Sequence, residues 1–419
     1  MTGVTPLANA AARRLWLARN RHAFQDPTAR KPRLFVDVSV IMRHDAATGI
    51  QRVVRSVWSH LIRMDALPFD VVPVYAGRRR GYCFAPTDFL ARRSKPDQIA
   101  VGVRPGDKFL GLDLAAHHLP NYVEQLSAWR ANGASLHFVV YDLLPLSRPD
   151  WFEPATSHHF ARWFQTIMSV ADQALCISDG VAQEVRRRTI GSAAHQRLKV
   201  SRLQLSGDIS DSVPSVGSSP EVRAILEQVR SRPTILMIGT IEPRKGYDRA
   251  LDAFERLWAT DGQSTPDLVI VGKRGWKTAA LQERIRFHPE HGRRLHWLEN
   301  VTDESLTQLY EASLAVFLAS YDEGFGLPAV EAATHGRWVL ARDLPVFREQ
   351  RLSNLRYFGD DSPDVLSREL MALVRTAKAW PPPAFSLPTW SECVERLLDE
   401  MEILGRTGAA TVSPLRKAS

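Results

Sequence analysis

Ser320-Tyr321-Asp322-Glu323-Gly324-Phe325-Gly326-Leu327-Pro328-Ala329-Val330-Glu331 is the stretch from which the fold reads most directly. Leu314 to Ala319, just before it, form a short apolar run of the kind that makes a buried parallel strand. Pro328 suits the first turn of a helix and Gly336 suits its end. The order is therefore strand, glycine-containing loop, helix. Glu323 falls in the loop and Glu331 about one turn into the helix. Both project near the helix N-terminus, where unpaired N–H groups and the positive dipole end attract an anion. A lone carboxylate there needs no ligand to explain it. Two that bracket Gly324-Phe325-Gly326 suit a ligand rich in hydroxyls and phosphate.

The same alternation extends outward in both directions. In the second half, strands are expected at 234–239, 268–271, 295–298, 314–319 and 338–341, with helices at 248–260, 278–286, 303–313 and 328–335. In the first half, 34–40 reads as strand, and Ile50, Val53, Val54, Val57 and Trp58 give helical spacing over 48–58. Further strands follow at 71–75, 109–112, 136–141, 173–177 and 199–203, with helices at 119–132, 157–170 and 179–189. The expected fold is α/β, with two doubly wound Rossmann-like domains facing across a cleft. The expected organisation is a basic extension (1–32), an N-terminal domain (33–206), a polar Ser/Gly/Pro-rich linker (207–232), a C-terminal domain (233–382), a helical segment (383–405) and a flexible tail (406–419).

The apolar share of 44% and charged share of 24% are those of a soluble globular chain. Cys83, Cys176 and Cys393 are far apart without metal-ligand spacing, so reduced thiols in a cytoplasmic protein are expected. No apolar run approaches a membrane span, and no signal-peptide pattern opens the chain. A net charge of +8 points to an acidic partner. No zinc-ligand pattern or aromatic RNA-binding signature favours nucleic acid. A phosphate-bearing substrate and an anionic membrane surface both fit. The basic leader, with Leu15, Trp16 and Leu17 among arginines, reads either as a solvated extension or as a short interfacial helix.

Three loops at strand ends carry the candidate chemistry. Glu242-Pro243-Arg244-Lys245-Gly246 puts two cations before a helix for which Asp248 is the expected N-cap, a combination suited to diphosphate. Gly272-Lys273-Arg274-Gly275-Trp276 is a second basic glycine loop, in which Trp276 either lines the same pocket or seals the domain surface. The third is the Glu323–Glu331 stretch.

Together these motifs resemble the retaining GT-B glycosyltransferases of family 4, which include many bacterial mannosyltransferases. Glu323 and Glu331 match the E-x7-E signature of that family. The 242–245 loop resembles its donor-phosphate loop, and 272–276 and 343–349 are similar to segments of bacterial members. The resemblance is dense over 230–350 and looser over 33–205. It implies that Lys245 and Arg244 neutralise the departing nucleotide diphosphate and that Glu331 accepts hydrogen bonds from the ribose. It also implies that Glu323 holds donor-sugar hydroxyls, and that the Phe325, Gly326 and Leu327 amides face sugar and phosphate, with Lys273 nearby. Thr48-Gly49-Ile50-Gln51 resembles the family's glycine loop over the phosphates, and reads equally as a plain helix cap. Tyr141 stands where many relatives have histidine, so an acceptor-side role falls to Asp142, which is also a reasonable structural aspartate.

The implied reaction uses a nucleotide-sugar donor, GDP-mannose preferred, and a glycan or polyprenyl-diphosphate-linked acceptor of bacterial surface polysaccharide synthesis. It implies no metal, which agrees with the lack of a D-x-D pair, and no nucleic acid. Work at the inner face of the cytoplasmic membrane, through peripheral contact with anionic lipid, would suit such an acceptor. Two other readings are a nucleotide-sugar epimerase of similar shape and a non-catalytic nucleotide-sugar binding protein.

Overall fold

The computed structural model describes residues 31–65, 67–77, 81–91, 96, 98–260, 265–379, 382 and 387–403. The basic leader up to residue 30 and the tail from 404 onward lie outside the described residues.

The first sheet contains β1 (Arg33–Asp37), β2 (Asp70–Gly77), β3 (Gly81–Phe84), β4 (Lys108–Gly111), β5 (Ser135–Val140), β6 (Gln173–Cys176) and β7 (Lys199–Arg202). Their spatial order is β3-β2-β1-β4-β5-β6-β7, parallel except for β3. The second contains β8 (Thr234–Ile238), β9 (Asp267–Val271), β10 (Leu295–Leu298), β11 (Ala315–Leu318), β12 (Trp338–Arg342) and β13 (Leu355–Phe358). It is parallel throughout, in the order β10-β9-β8-β11-β12-β13. Within each strand, alternate residues feed different cores, because side chains point to opposite faces. Leu34 and Val36 of β1 join one cluster while Phe35 joins another, and Val316 and Leu318 of β11 are separated likewise from Ala315 and Phe317.

Two expectations are refined. Within the linker expected at 207–232, Pro220–Ser231 form a helix that buries Val222, Leu226 and Val229. Those three positions have helical spacing, and the Ser219 side chain accepts from the Val222 N–H as its cap. Asp248 does not cap the helix expected at 248–260. That helix starts at Tyr247 behind a left-handed Gly246 (φ 66°), which leaves Asp248 in its first turn.

The sequence reading also lacked strand β3, strand β13 and the long Pro363–Ala379 helix. The last helical segment, Trp390–Glu400, opens with a capping box of Thr389 and Glu392. It packs against the Gly49–Leu61 helix of the N-terminal domain. Trp390 Nε1 donates to the Asp208 carbonyl (2.8 Å), and the Glu400 carbonyl accepts from Gln173 Nε2 (3.0 Å).

Strand order reverses between β1 and β4 in one sheet and between β8 and β11 in the other. The crevice outside the C-terminal ends at such a switch point is where open α/β sheets take ligands. The loop holding Arg244 and Lys245 leaves β8, and the loop holding Glu323 leaves β11.

Candidate active site

The β8 and β11 loops are fastened together. The Tyr321 N–H donates to the Arg244 carbonyl at 2.7 Å. Glu323 then takes both cations: Arg244 Nη1 donates to Oε2 at 2.7 Å and Lys245 Nζ to Oε1 at 2.5 Å. Ser320 Oγ adds a 2.8 Å bond to Oε1, and Arg244 Nη2 also pairs with Glu242 at 2.9 Å. All of these side chains are largely buried. Burial opposes ionisation of Glu323, but Arg244 and then Lys245 outweigh it and bring the carboxyl down to about 2. Burial also opposes the charge on Arg244, and Glu323 and Glu242 reverse that to raise its pKa. Lys245 lies below its ordinary value, through burial and the neighbouring guanidinium. Two cations and two carboxylates thus balance inside the cleft.

The helix after this loop, Leu327–Thr334, starts from Gly326 at φ 79°. An L side chain rarely adopts that angle, and a Cβ there would lie 2.5 Å from the Phe347 ring. Phe325 is buried, so its ring anchors the turn while Gly326 and Leu327 form the helix entrance. Glu331, one turn on, is 2% exposed. Its Oε2 accepts from Tyr310 Oη at 2.6 Å, and its Oε1 pairs with Arg52 of the N-terminal domain. The two glutamates therefore occupy separate polar pockets on one loop–helix unit.

The N-terminal domain meets this unit directly. Gly324 lies so close to the end of β5 that a Cβ would come within 2.3 Å of the Tyr141 carbonyl and 3.0 Å of Asp142 Cβ. Asp142 is thereby brought beside Arg244 and Glu323; burial raises its pKa and Arg244 opposes the rise. Tyr141 turns away, with its hydroxyl donating to the Leu112 carbonyl at 2.8 Å. Gly49 opens its helix after the Thr48 cap, and a Cβ there would stand 3.1 Å from Leu327 Cδ1. Thr48-Gly49 is thus both a helix cap and a neighbour of the Leu327 turn.

Lys273 Nζ reaches across the cleft to the Ala46 carbonyl (2.7 Å), bonding the lead-in to Gly49 instead of joining Arg244 and Lys245. Trp276 also seals a surface: its Nε1 donates to the Trp151 carbonyl at 2.8 Å, and its ring stacks near Phe152. Arg52, Tyr310, Ser320 and Glu242 were not identified from sequence as site residues. Arg52 lies one residue beyond the glycine-loop motif, but its partners are more than 250 positions away.

Two parallel-sheet domains with this cleft define the GT-B fold, the fold of many glycosyltransferases. Two solved structures are similar over nearly the whole chain. One is Anabaena HepE in complex with UDP and glucose, with a TM-score of 0.56 and 15% identity over 88% of this chain and 95% of that one. The other is sucrose-phosphate synthase from Thermosynechococcus elongatus, with a TM-score of 0.56 and 16% identity over 90% and 98%. Residues 218–376 match the family described as Glycosyl transferases group 1, so the chain carries a domain of that family. Over 383 residues the chain is 36% identical to the serotype-specific mannosyltransferase WbdA of Escherichia coli, covering 89% of this chain and 46% of that protein. The chain spans about half the length of that relative. Among the described residues, no helix is long and apolar enough to cross a membrane.

Proposed function

We propose that this chain transfers mannose, with retention, from GDP-mannose to a glycan or lipid-linked oligosaccharide acceptor in bacterial surface polysaccharide synthesis. The observation that carries the reading is the Arg244–Lys245–Glu323 cluster at the switch point, with Glu331 one turn into the helix that follows the Glu323 loop. The group 1 domain and the similarity to a mannosyltransferase support both the class of reaction and the sugar.

In this reading the bond from the sugar C1 to the diphosphate oxygen breaks, and its electron pair leaves with the nucleotide. Arg244 and Lys245 stabilise that developing charge as fixed cations in a closed site, without a divalent ion. Glu323 aligns the two cations and orients donor-sugar hydroxyls; it is not assigned as a nucleophile. Glu331 accepts from the ribose, and the Leu327–Thr334 helix entrance faces the phosphates. The acceptor oxygen attacks C1 on the face the leaving group vacates. Its proton passes to the departing phosphate oxygen, so charge and atoms balance. Asp142, at the end of β5 beside the cluster, is assigned to the acceptor in this reading.

The test is incubation of purified protein with a panel of nucleotide sugars and a mannose-terminated glycan acceptor, alongside Lys245→Ala and with EDTA present. Transfer by the wild type in EDTA and its loss by about two orders of magnitude in the variant are expected. Donor conversion without acceptor would indicate an epimerase, and nucleotide binding without any turnover a binding protein. We further propose that the basic surface makes peripheral contact with anionic membranes. Co-sedimentation with anionic vesicles should weaken as salt rises, and no sedimentation at low salt would refute it.

A further inference from the structure

Arg52 is contributed by the N-terminal domain, yet its charged contacts lie in the other one. From the Gly49–Leu61 helix its Nη1 pairs with Glu331 and its Nη2 with Asp303 at 2.7 Å. Its Nε is buried without a protein partner. Asp303 opens the Asp303–Ala312 helix, and its other oxygen accepts from the N–H and hydroxyl of Ser215 (3.0 and 2.9 Å). Ser215 belongs to the segment that connects the two domains. One guanidinium thus touches the second glutamate of the E-x7-E pair and, through Asp303, the connection about which the domains would move.

A carboxylate has about four lone-pair positions. At Glu331, Arg52 takes one on Oε1 and Tyr310 takes one on Oε2. Two sites remain, enough for two vicinal hydroxyls. The two contacts fix the plane of the carboxylate without saturating it. Separating the Gly49–Leu61 helix from the Leu327–Thr334 helix would strip Arg52 from Glu331.

We propose that Arg52 is a cross-domain positioning residue for the donor nucleoside: it orients Glu331 toward ribose hydroxyls only while the cleft is closed, and so couples nucleoside binding to closure. The proposal rests on the donor-site reading above. It differs from a purely adhesive ion pair in what it discriminates. A ligand with a ribose should sense Arg52, whereas inorganic pyrophosphate, held by Arg244 and Lys245, should not.

Calorimetric titration of GDP and of inorganic pyrophosphate into wild type, Arg52→Gln and Arg52→Lys tests this, with circular dichroism and Tm as controls for folding. GDP should bind Arg52→Gln about tenfold or more weakly, as expected for loss of a hydrogen bond to a charged group, with partial recovery in Arg52→Lys. Pyrophosphate affinity should be the same in all three. With transfer assayed, KM for the donor should rise more than kcat falls. Equal GDP affinity in wild type and Arg52→Gln would overturn the proposal, and so would parallel loss of GDP and pyrophosphate binding in a folded variant. If Arg52→Gln does not fold, Asp303→Asn is the second variant, with a smaller loss of GDP affinity expected and unchanged GDP affinity overturning the proposal. Failure of the wild type to bind either ligand would instead remove the donor-site reading itself.

Discussion

Replacing Glu323 by Gln should tighten diphosphate binding while abolishing transfer. In the wild type, the Glu323 carboxylate is the internal anion of the Arg244–Lys245 pair, at 2.7 and 2.5 Å. Two unit charges about 4 Å apart attract by about 4 kcal/mol at an effective dielectric constant near 20. Glutamine keeps the shape and loses that charge, so each cation turns to the next available anion. If an external diphosphate recovers only about a third to two thirds of one such interaction, it gains about 1.4–2.8 kcal/mol, a ten- to hundredfold rise in affinity. Glu242 limits the gain, because it stays on Arg244 at 2.9 Å. It also limits the damage to the fold. Breaking a buried pair costs about 3–5 kcal/mol, and the low end is expected here. For a unit of domain size that lowers Tm by about 6–12 °C. Titration of inorganic pyrophosphate into both proteins at fixed ionic strength reads the first effect, and scanning calorimetry the second. A folded Glu323→Gln protein that binds pyrophosphate no better than wild type would show that the carboxylate does not compete for these cations.

Two further outcomes follow from the same geometry. Glu323 has its folded-state pKa depressed from 4.5 to about 2, so its stabilisation is complete above 4.5 and is lost as pH falls toward 2. Urea midpoints measured across that range should fall more steeply for wild type than for Glu323→Gln, and parallel curves would contradict the assignment. Gly324→Ala places a Cβ 2.3 Å from the Tyr141 carbonyl, so the loop must withdraw from the N-terminal domain by a few tenths of an ångström to about 1 Å. Transfer should fall by about a hundredfold, as for a misplacement of that size, with intact secondary structure by circular dichroism. Wild-type kcat would refute the close approach.

The Arg244–Lys245–Glu323 cluster was legible because its parts are local. Leu314 to Glu331 encode strand, turn and helix within a few residues, and Arg244-Lys245 sit at the end of another apolar run. Edges were harder. β3 is a four-residue antiparallel strand at the sheet edge, too short to stand out, and β13 is a four-residue edge strand whose apolar run is interrupted by Arg356. The segment after Ser206 reads as polar, yet it buries Ile209 and Ser212, because its contacts come from the C-terminal helix and from both domains. Lys273 has the composition of a phosphate ligand, but the facing loop offers the Ala46 carbonyl and takes it. Arg52 illustrates the general limit. Its helix and face follow from spacing, but the identity of the carboxylates opposite depends on how two domains close, and no short-range pattern carries that.

The return of the Trp390–Glu400 helix to the N-terminal domain has a practical consequence for recombination. The chain passes between the domains twice, once after β7 and again between residues 379 and 390. A chimera made with one junction near residue 210 would give the N-terminal domain a foreign partner for its Gly49–Leu61 helix. Trp390, Cys393, Val394, Leu397 and Leu398 would then be replaced by side chains shaped for another surface. Exchanging the C-terminal domain between relatives therefore calls for two cuts, with residues 390–403 kept with the N-terminal half on which they pack.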